Sequence, residues 1–334
     1  MARVVAILAV IAIHVVSPLL SNRGHIHSWW YANVIDSLAR WSVPVFVMIS
    51  GWLLLHSELA DDPLAFYRRR LARLLPVLVA WSVIYLVYGH IMSNNPRTLR
   101  DAFNYLLAGR PWFHLYFLYL IAGLYLVAPF LRPLVTHPNR RVLGAAVLVF
   151  LALGMADLFI LVWRGLGGVN AITRFVPYIG YFLAGAYLRD LPPTKRKVIA
   201  ATVTAGVGMV ATALGTWLLV GAYGLGRGRY LYEYLSLTTV PVSIAVFALF
   251  MWSAPWMDRL AARVPGRAVA VVASTTLGIY VIHPLVLGRL SALGLNVRTS
   301  FVPVSVPFMV LAAFVISLLV VLVIRAVPGV RRLV

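Results

Sequence analysis

The chain of 334 residues contains no cysteine. That excludes disulfides, thiolate metal sites and a cysteine nucleophile. Acidic residues are also scarce, with 9 Asp and Glu against 29 Lys and Arg. Charged residues of both signs make up only 11% of the chain. No polar stretch exceeds roughly 20 residues, so no soluble domain fits between the apolar runs. There is no glycine-rich phosphate loop and no HExxH zinc pattern. No internal repeat is present, and nothing resembles the short alternating segments of a membrane β-barrel. A small-residue cleavage site after the first apolar run is absent too, so that run is expected to be retained.

What is present is apolar length. Hydrophobic residues make up 62%, and runs of about 20 residues recur, the length that crosses a hydrocarbon core. The expected fold class is all-α, a polytopic membrane helix bundle of about ten transmembrane helices, read as a single domain over 1–334. The spans fall at about 4–20, 34–55, 74–91, 112–134, 142–163, 173–189, 198–221, 235–254, 268–290 and 304–325. The net charge of +20 would suggest nucleic acid in a soluble protein. Here the basic residues lie in short connections, so the positive-inside rule accounts for them and no nucleic-acid partner is expected. An even span number puts both termini on one side. That side carries 18 Lys and Arg, the other carries 10, and Arg40 lies within a span. The bias predicts cytoplasmic termini.

Arg3 and His14 are eleven residues apart in the first span. At about 100° per residue they share one helix face, roughly 16 Å apart along the axis. An ionisable group inside a span is a functional candidate, because its charged form costs about 2.5 kcal/mol or more at mid-bilayer. The blander reading is a neutral His packed between helices. In VIDSLARWSVPVFVMISGWLLL, Asp36 and Arg40 are i,i+4 neighbours able to pair. Arg40 is expected near the depth of His14, with Asp36 a turn closer to the outer surface. The pair either locks two helices or marks function. Pro44 and Ser50-Gly51 are expected to interrupt this helix and open space for a ligand. The next inner loop carries FYRRRLARLLP. There Arg70 and Arg73, at i,i+3, face one way and suit phosphate groups, unless they are only topogenic or touch anionic lipid. Pro76 requires the helix to start or kink nearby.

Four further residues are possible acceptor-side groups: His114 near the outer interface, Asp157 in the fifth span, Glu233 in the aromatic stretch RYLYEYL, and His283 in LGIYVIHPLVL. Gly180, Ala184 and Gly185 of the sixth span favour close helix packing. The seventh and tenth spans read as lipid-facing scaffold. His25 and His27 lie in a loop without nearby Cys or carboxylates, so no metal is expected.

The order of these segments resembles the acyltransferase-3 family of integral-membrane O-acyltransferases. The resemblance rests on Arg3 and His14 in the first span, RWSVPVFVMISGWLLL, FYRRRLARLLP with its Arg-x-x-Arg, HLYFLYLIAGLYLVAPFL, YIGYFLAGAYL and LGIYVIHP. The Asp36-Ser37…Arg40-Trp41 wording is most similar to the branch that acetylates enterobacterial common antigen. Only Met1-Ala2 precede Arg3, where family members carry several more residues and an acidic one among them.

The resemblance implies a bacterial inner-membrane enzyme that binds no cofactor. Acetyl-CoA or another acyl-CoA serves as cytoplasmic co-substrate, and a sugar hydroxyl of an envelope glycan or its lipid-linked precursor is the acceptor. It implies His14 and Arg70/Arg73 as functional positions. Together with the residues above, Arg3, Arg70 and Arg73 would hold the acyl-CoA phosphates, and His14, Asp36 and Arg40 would be catalytic. His14 would be the general base. Asp36 or Asp157 would orient it, and Arg40 would stabilise the oxyanion unless Asp36 neutralises it. An acyl-enzyme on Ser17 or on His14 itself is the minor route. The rival reading is a transporter or flippase of lipid-linked saccharides, with the same charges lining a pathway.

Overall fold

The structure, a computed structural model, describes residues 1–58, 62–92, 98–261, 268–297 and 301–334. Arg97, Arg263, Arg267 and Arg298, which enter the charge tally, lie outside the described residues. The described residues form α-helices and short 3-10 turns, with no strand among them. The helices are α1 (Ala2–Val16), α2 (Ile26–Ala39), α3 (Ser42–Leu54), α4 (Pro63–Ile91), α5 (Leu99–Leu107), α6 (Tyr116–Val135), α7 (Arg140–Arg164), α8 (Ile179–Arg189), α9 (Lys195–Gly228), α10 (Thr239–Ala261), α11 (Ala268–Ala292) and α12 (Val302–Ala326). Every expected span has a helical counterpart. Among the described residues eight are long and apolar enough to cross a membrane, α2 and α3 counting as one, and α1 and α8 are shorter. The protein is a multi-pass, all-α membrane protein.

Several boundaries differ from the sequence expectation, each for a local reason. The first span stops at Val16 rather than at residue 20. Pro18 has no N–H to donate to the His14 carbonyl four residues earlier, so the α-helical ladder stops there. His14 therefore sits in the last turn of α1. The second span is broken at Arg40–Trp41 and not at Ser50-Gly51. The Pro44 ring excludes the carbonyl four residues earlier, that of Arg40, and the new helix begins at Ser42 with proline in its first turn. FYRRRLARLLP lies on helix rather than in a loop. Asp62 caps α4 by accepting the Ala65 N–H at 3.1 Å, Pro63 opens the first turn, and the helix continues through Pro76.

The chain divides into two compact units. One comprises Met1–Phe46, Leu191–Val327 and Val334. In it α1 packs on α2, α11 and α12, while α9 packs on α2 and α10. Asn33 of α2 ties this unit together: its Nδ2 donates to Ala213 O of α9 at 2.9 Å, and its Oδ1 accepts from Tyr232 Oη at 2.6 Å. The other unit comprises Val47–Asp190 and Pro328–Leu333. Here α7 packs on α8, and α6 on α4, α7 and α8. Within it α3 and α8 meet backbone to backbone. A Cβ on Gly51 would lie 1.8 Å from Phe182 O, and one on Gly185 would lie 1.9 Å from Met48 O. Gly51 thus closes a helix contact instead of opening space for a ligand.

Candidate functional site

The first unit gathers most of the ionisable groups singled out from the sequence. α1 is unbroken from Ala2 to Val16, so Arg3 and His14 share its face about 16 Å apart. Arg3 is exposed in the first turn, where a cation opposes the helix dipole, so helix stability does not explain its presence. His14 is partly buried. Its ring stacks on that of His283 from α11, with centroids 5.2 Å apart and planes at 26°. His283 is fully buried, and its Nδ1 lies 3.2 Å from Ile279 O. A carbonyl only accepts, so that nitrogen carries the proton.

Asp36 is fully buried and holds Arg40 in a two-point pair, Nε to Oδ2 at 2.5 Å and Nη2 to Oδ1 at 2.7 Å. Both carboxylate oxygens are engaged with Arg40, so Asp36 anchors a guanidinium rather than an imidazole. The Arg40 side chain keeps 18% of its surface exposed and lies over two rings, 4.8 Å from the centroid of Tyr232 and 5.8 Å from that of Tyr234. Arg40 also occupies the C-terminal cap of α2, where the helix dipole favours a cation.

Glu233 follows the 3-10 turn Arg229–Tyr232. Its carboxyl is accessible but enclosed by protein on most sides. Lost solvation raises its pKa above the usual carboxylate range, and Arg40 opposes that shift. Arg229 donates to Leu20 O at 2.5 Å. Sequence reasoning took only Glu233 from RYLYEYL. It missed Tyr232 and Tyr234, as well as Asn33 and Arg229. The available signal was the density of aromatic residues beside cations in RGRYLYEYL.

The remaining candidates belong to the other unit. His114 is buried just before α6, its ring 4.8 Å from that of Tyr85 in an edge contact, with Phe113 beside it at 5.3 Å. Asp157 is exposed on α7. Arg70 and Arg73 stand one turn apart on α4, as their spacing requires. Arg73 is exposed, whereas Arg70 is half-buried with its Nε shielded from solvent and without a hydrogen-bond partner among the described residues. Ser17, the minor nucleophile candidate, is exposed at the end of α1, its N–H bonded to Ile13 O at 3.0 Å.

Imidazoles and a charge pair held among transmembrane helices make this cluster the candidate functional site. Comparison with known families narrows this. The family described as the acyltransferase domain matches residues 1–326. The chain belongs to that family, acyltransferase-3, and is a membrane acyltransferase with the bilayer and an acceptor as its partners. No curated protein and no solved structure matches the chain.

Proposed function

We propose that this acyltransferase moves an acyl group, in the first instance acetyl, from cytoplasmic acyl-CoA to a hydroxyl of an envelope sugar or glycan precursor. The observation that supports the reading is the stacked His14–His283 pair, in the unit that also holds the Asp36–Arg40 pair, in a chain of this family. His14 takes the proton of the acceptor hydroxyl as the oxygen attacks the thioester carbonyl. Negative charge gathers on the carbonyl oxygen, and the partly exposed guanidinium of Arg40 is the group we assign to stabilise it. Collapse breaks the C–S bond. The imidazolium returns its proton to the leaving thiolate, so His14 ends neutral. A base of this kind contributes about 10²–10⁴-fold.

His283, fixed by Ile279 O, holds the His14 ring in plane. Asp36 fixes Arg40, and Tyr232 and Tyr234 give the guanidinium an aromatic bed. Donor phosphates are assigned to Arg70 and Arg73, since the Nε of Arg70, without a hydrogen-bond partner among the described residues, is a donor that an anion would satisfy. The enterobacterial common antigen branch remains the preferred acceptor class on its motif wording alone.

The test incubates the purified protein with acetyl-CoA and cell-envelope glycans and follows acetyl-ester gain by mass spectrometry. Transfer by the wild type and near-complete loss in His14→Gln, which keeps size and hydrogen bonding but not basicity, support the reading. Normal turnover of His14→Gln would show that His14 takes no proton. Movement of a glycan lipid across the bilayer without any ester would favour the transporter reading.

A further inference from the structure

The end of the second unit that carries α5 holds a pair of cations that the proposed chemistry does not use. Helix α5 is closed by a capping box. Thr98 Oγ1 accepts the Asp101 N–H at 3.1 Å, and Asp101 Oδ2 accepts the Thr98 N–H at 2.9 Å. Yet α5 has no buried residue. A nine-residue helix without core contacts is marginal in water. Leu99, Phe103 and Leu107 recur at helical spacing on one stripe and stay exposed, at 91%, 60% and 53%, as in a helix lying in a membrane interface.

The chain leaving α5 is stitched to the segment between α7 and α8. Ala171 N donates to Leu107 O at 2.8 Å, and Arg174 Nη2 donates to Ala108 O. Gly109, at φ 61°, sits so close that a Cβ there would lie 2.8 Å from Ala171 Cα. This seam bonds the Arg174 guanidinium to the carbonyl two residues before Arg110, which is itself exposed. Arg174 is half-buried, lies 6.0 Å from the Tyr116 ring centroid, and has its Nε shielded from solvent without a hydrogen-bond partner. Burial and the Arg110 charge both work against its own charge. No acidic side chain among the described residues pairs with either arginine. Leu166 and Ile172, on the stitched segment, are 64% and 80% exposed.

We infer that Arg110 and Arg174, rimmed by the exposed apolar side chains of α5 and of the α7–α8 connection, bind the phosphate group of an amphiphile at the membrane surface. An exposed guanidinium two residues from the carbonyl that anchors a second, half-buried one suits an anion with several acceptor oxygens. The apolar rim distinguishes an amphiphile from free phosphate. The same chemistry serves a bilayer phospholipid headgroup and an isoprenoid diphosphate.

The test is native mass spectrometry of the full chain in detergent, titrated with phosphatidylglycerol, phosphatidylcholine, farnesyl diphosphate or inorganic pyrophosphate. Preferential retention of phosphatidylglycerol assigns the site to bilayer lipid, and preferential retention of farnesyl diphosphate assigns it to an isoprenoid diphosphate. Arg110→Ala should weaken the preferred amphiphile roughly tenfold, and Arg110→Ala with Arg174→Ala should abolish the preference. Arg174→Lys, which keeps the charge if loss of the bond to Ala108 O unsettles the seam, should retain part of it. Arg227→Ala, an exposed cation elsewhere, should change nothing. Retention of phosphatidylcholine equal to that of the anionic amphiphiles, equal loss with Arg227→Ala, or pyrophosphate binding as tightly as the amphiphiles would each overturn the inference. None of these readouts requires acyl transfer.

Discussion

The imidazoles of His14 and His283 lie face to face, 5.2 Å between centroids, although 269 positions separate them in the chain. One ring is partly accessible on α1. The other is buried on α11 and tied to Ile279 O. A fixed neutral ring against a reactive one restricts how the reactive ring can turn, and a base misplaced by about 1 Å can lose about 10²-fold.

Replacing His283 by Ala should therefore lower kcat for acetyl transfer with little change in the apparent KM for acetyl-CoA. His283→Phe, which retains a flat ring, should recover part of the rate. A KM effect alone would place His283 in donor binding instead. Rates measured across pH separate the two further: loss of transfer on the acid side, as the His14 imidazole takes a proton, should survive in His283→Phe with an altered midpoint.

Asp36 and Arg40 test how the guanidinium is held. Removing one member of a buried pair strands the other charge, at about 3–5 kcal/mol. Asp36→Ala should lower the thermal midpoint in detergent sharply, and Asp36→Ala with Arg40→Ala should recover part of that loss while remaining inactive. Full additivity of the two single losses would mean that the pair is not coupled.

The contact between α3 and α8 tolerates no side chain. Gly51→Ala and Gly185→Ala each drive a Cβ into a backbone oxygen, Phe182 O or Met48 O. Overpacking typically destabilises by about 1–3 kcal/mol, and a backbone neighbour cannot swing aside. Each variant should melt lower, and the double variant should fall by less than the sum, because one helix separation relieves both clashes. Melting curves unchanged from the wild type would contradict the contact.

Arg70→Ala and Arg73→Ala should raise the apparent KM for acetyl-CoA with insertion and melting intact. Arg70, whose Nε is unpartnered, should show the larger effect. Unchanged donor kinetics in both variants would return the two residues to a topogenic role.

The charge bias of 18 to 10 predicts that both termini are cytoplasmic. Reporter fusions after Val334 and in the α4–α6 connection should report from opposite sides. The same side for both would overturn the orientation or the span count.

The sequence by itself determined the all-α, multi-pass class, because runs of about 20 apolar residues have few other physical fates. It also determined the i,i+4 pairing of Asp36 with Arg40 and the shared face of Arg3 and His14. Those are local consequences of the helical repeat, as is the break that Pro44 imposes at Arg40. Only the tertiary structure decided which distant residues meet. Nothing in LGIYVIHP says that its histidine stacks on His14, and nothing in RYLYEYL says that Tyr232 reaches Asn33 and lies beneath Arg40. Gly51 likewise read as a helix breaker until α8 filled the space beside it. Periodicity fixes the direction of a side chain around its own helix axis. The neighbour in that direction depends on how helices far apart in the chain pack together.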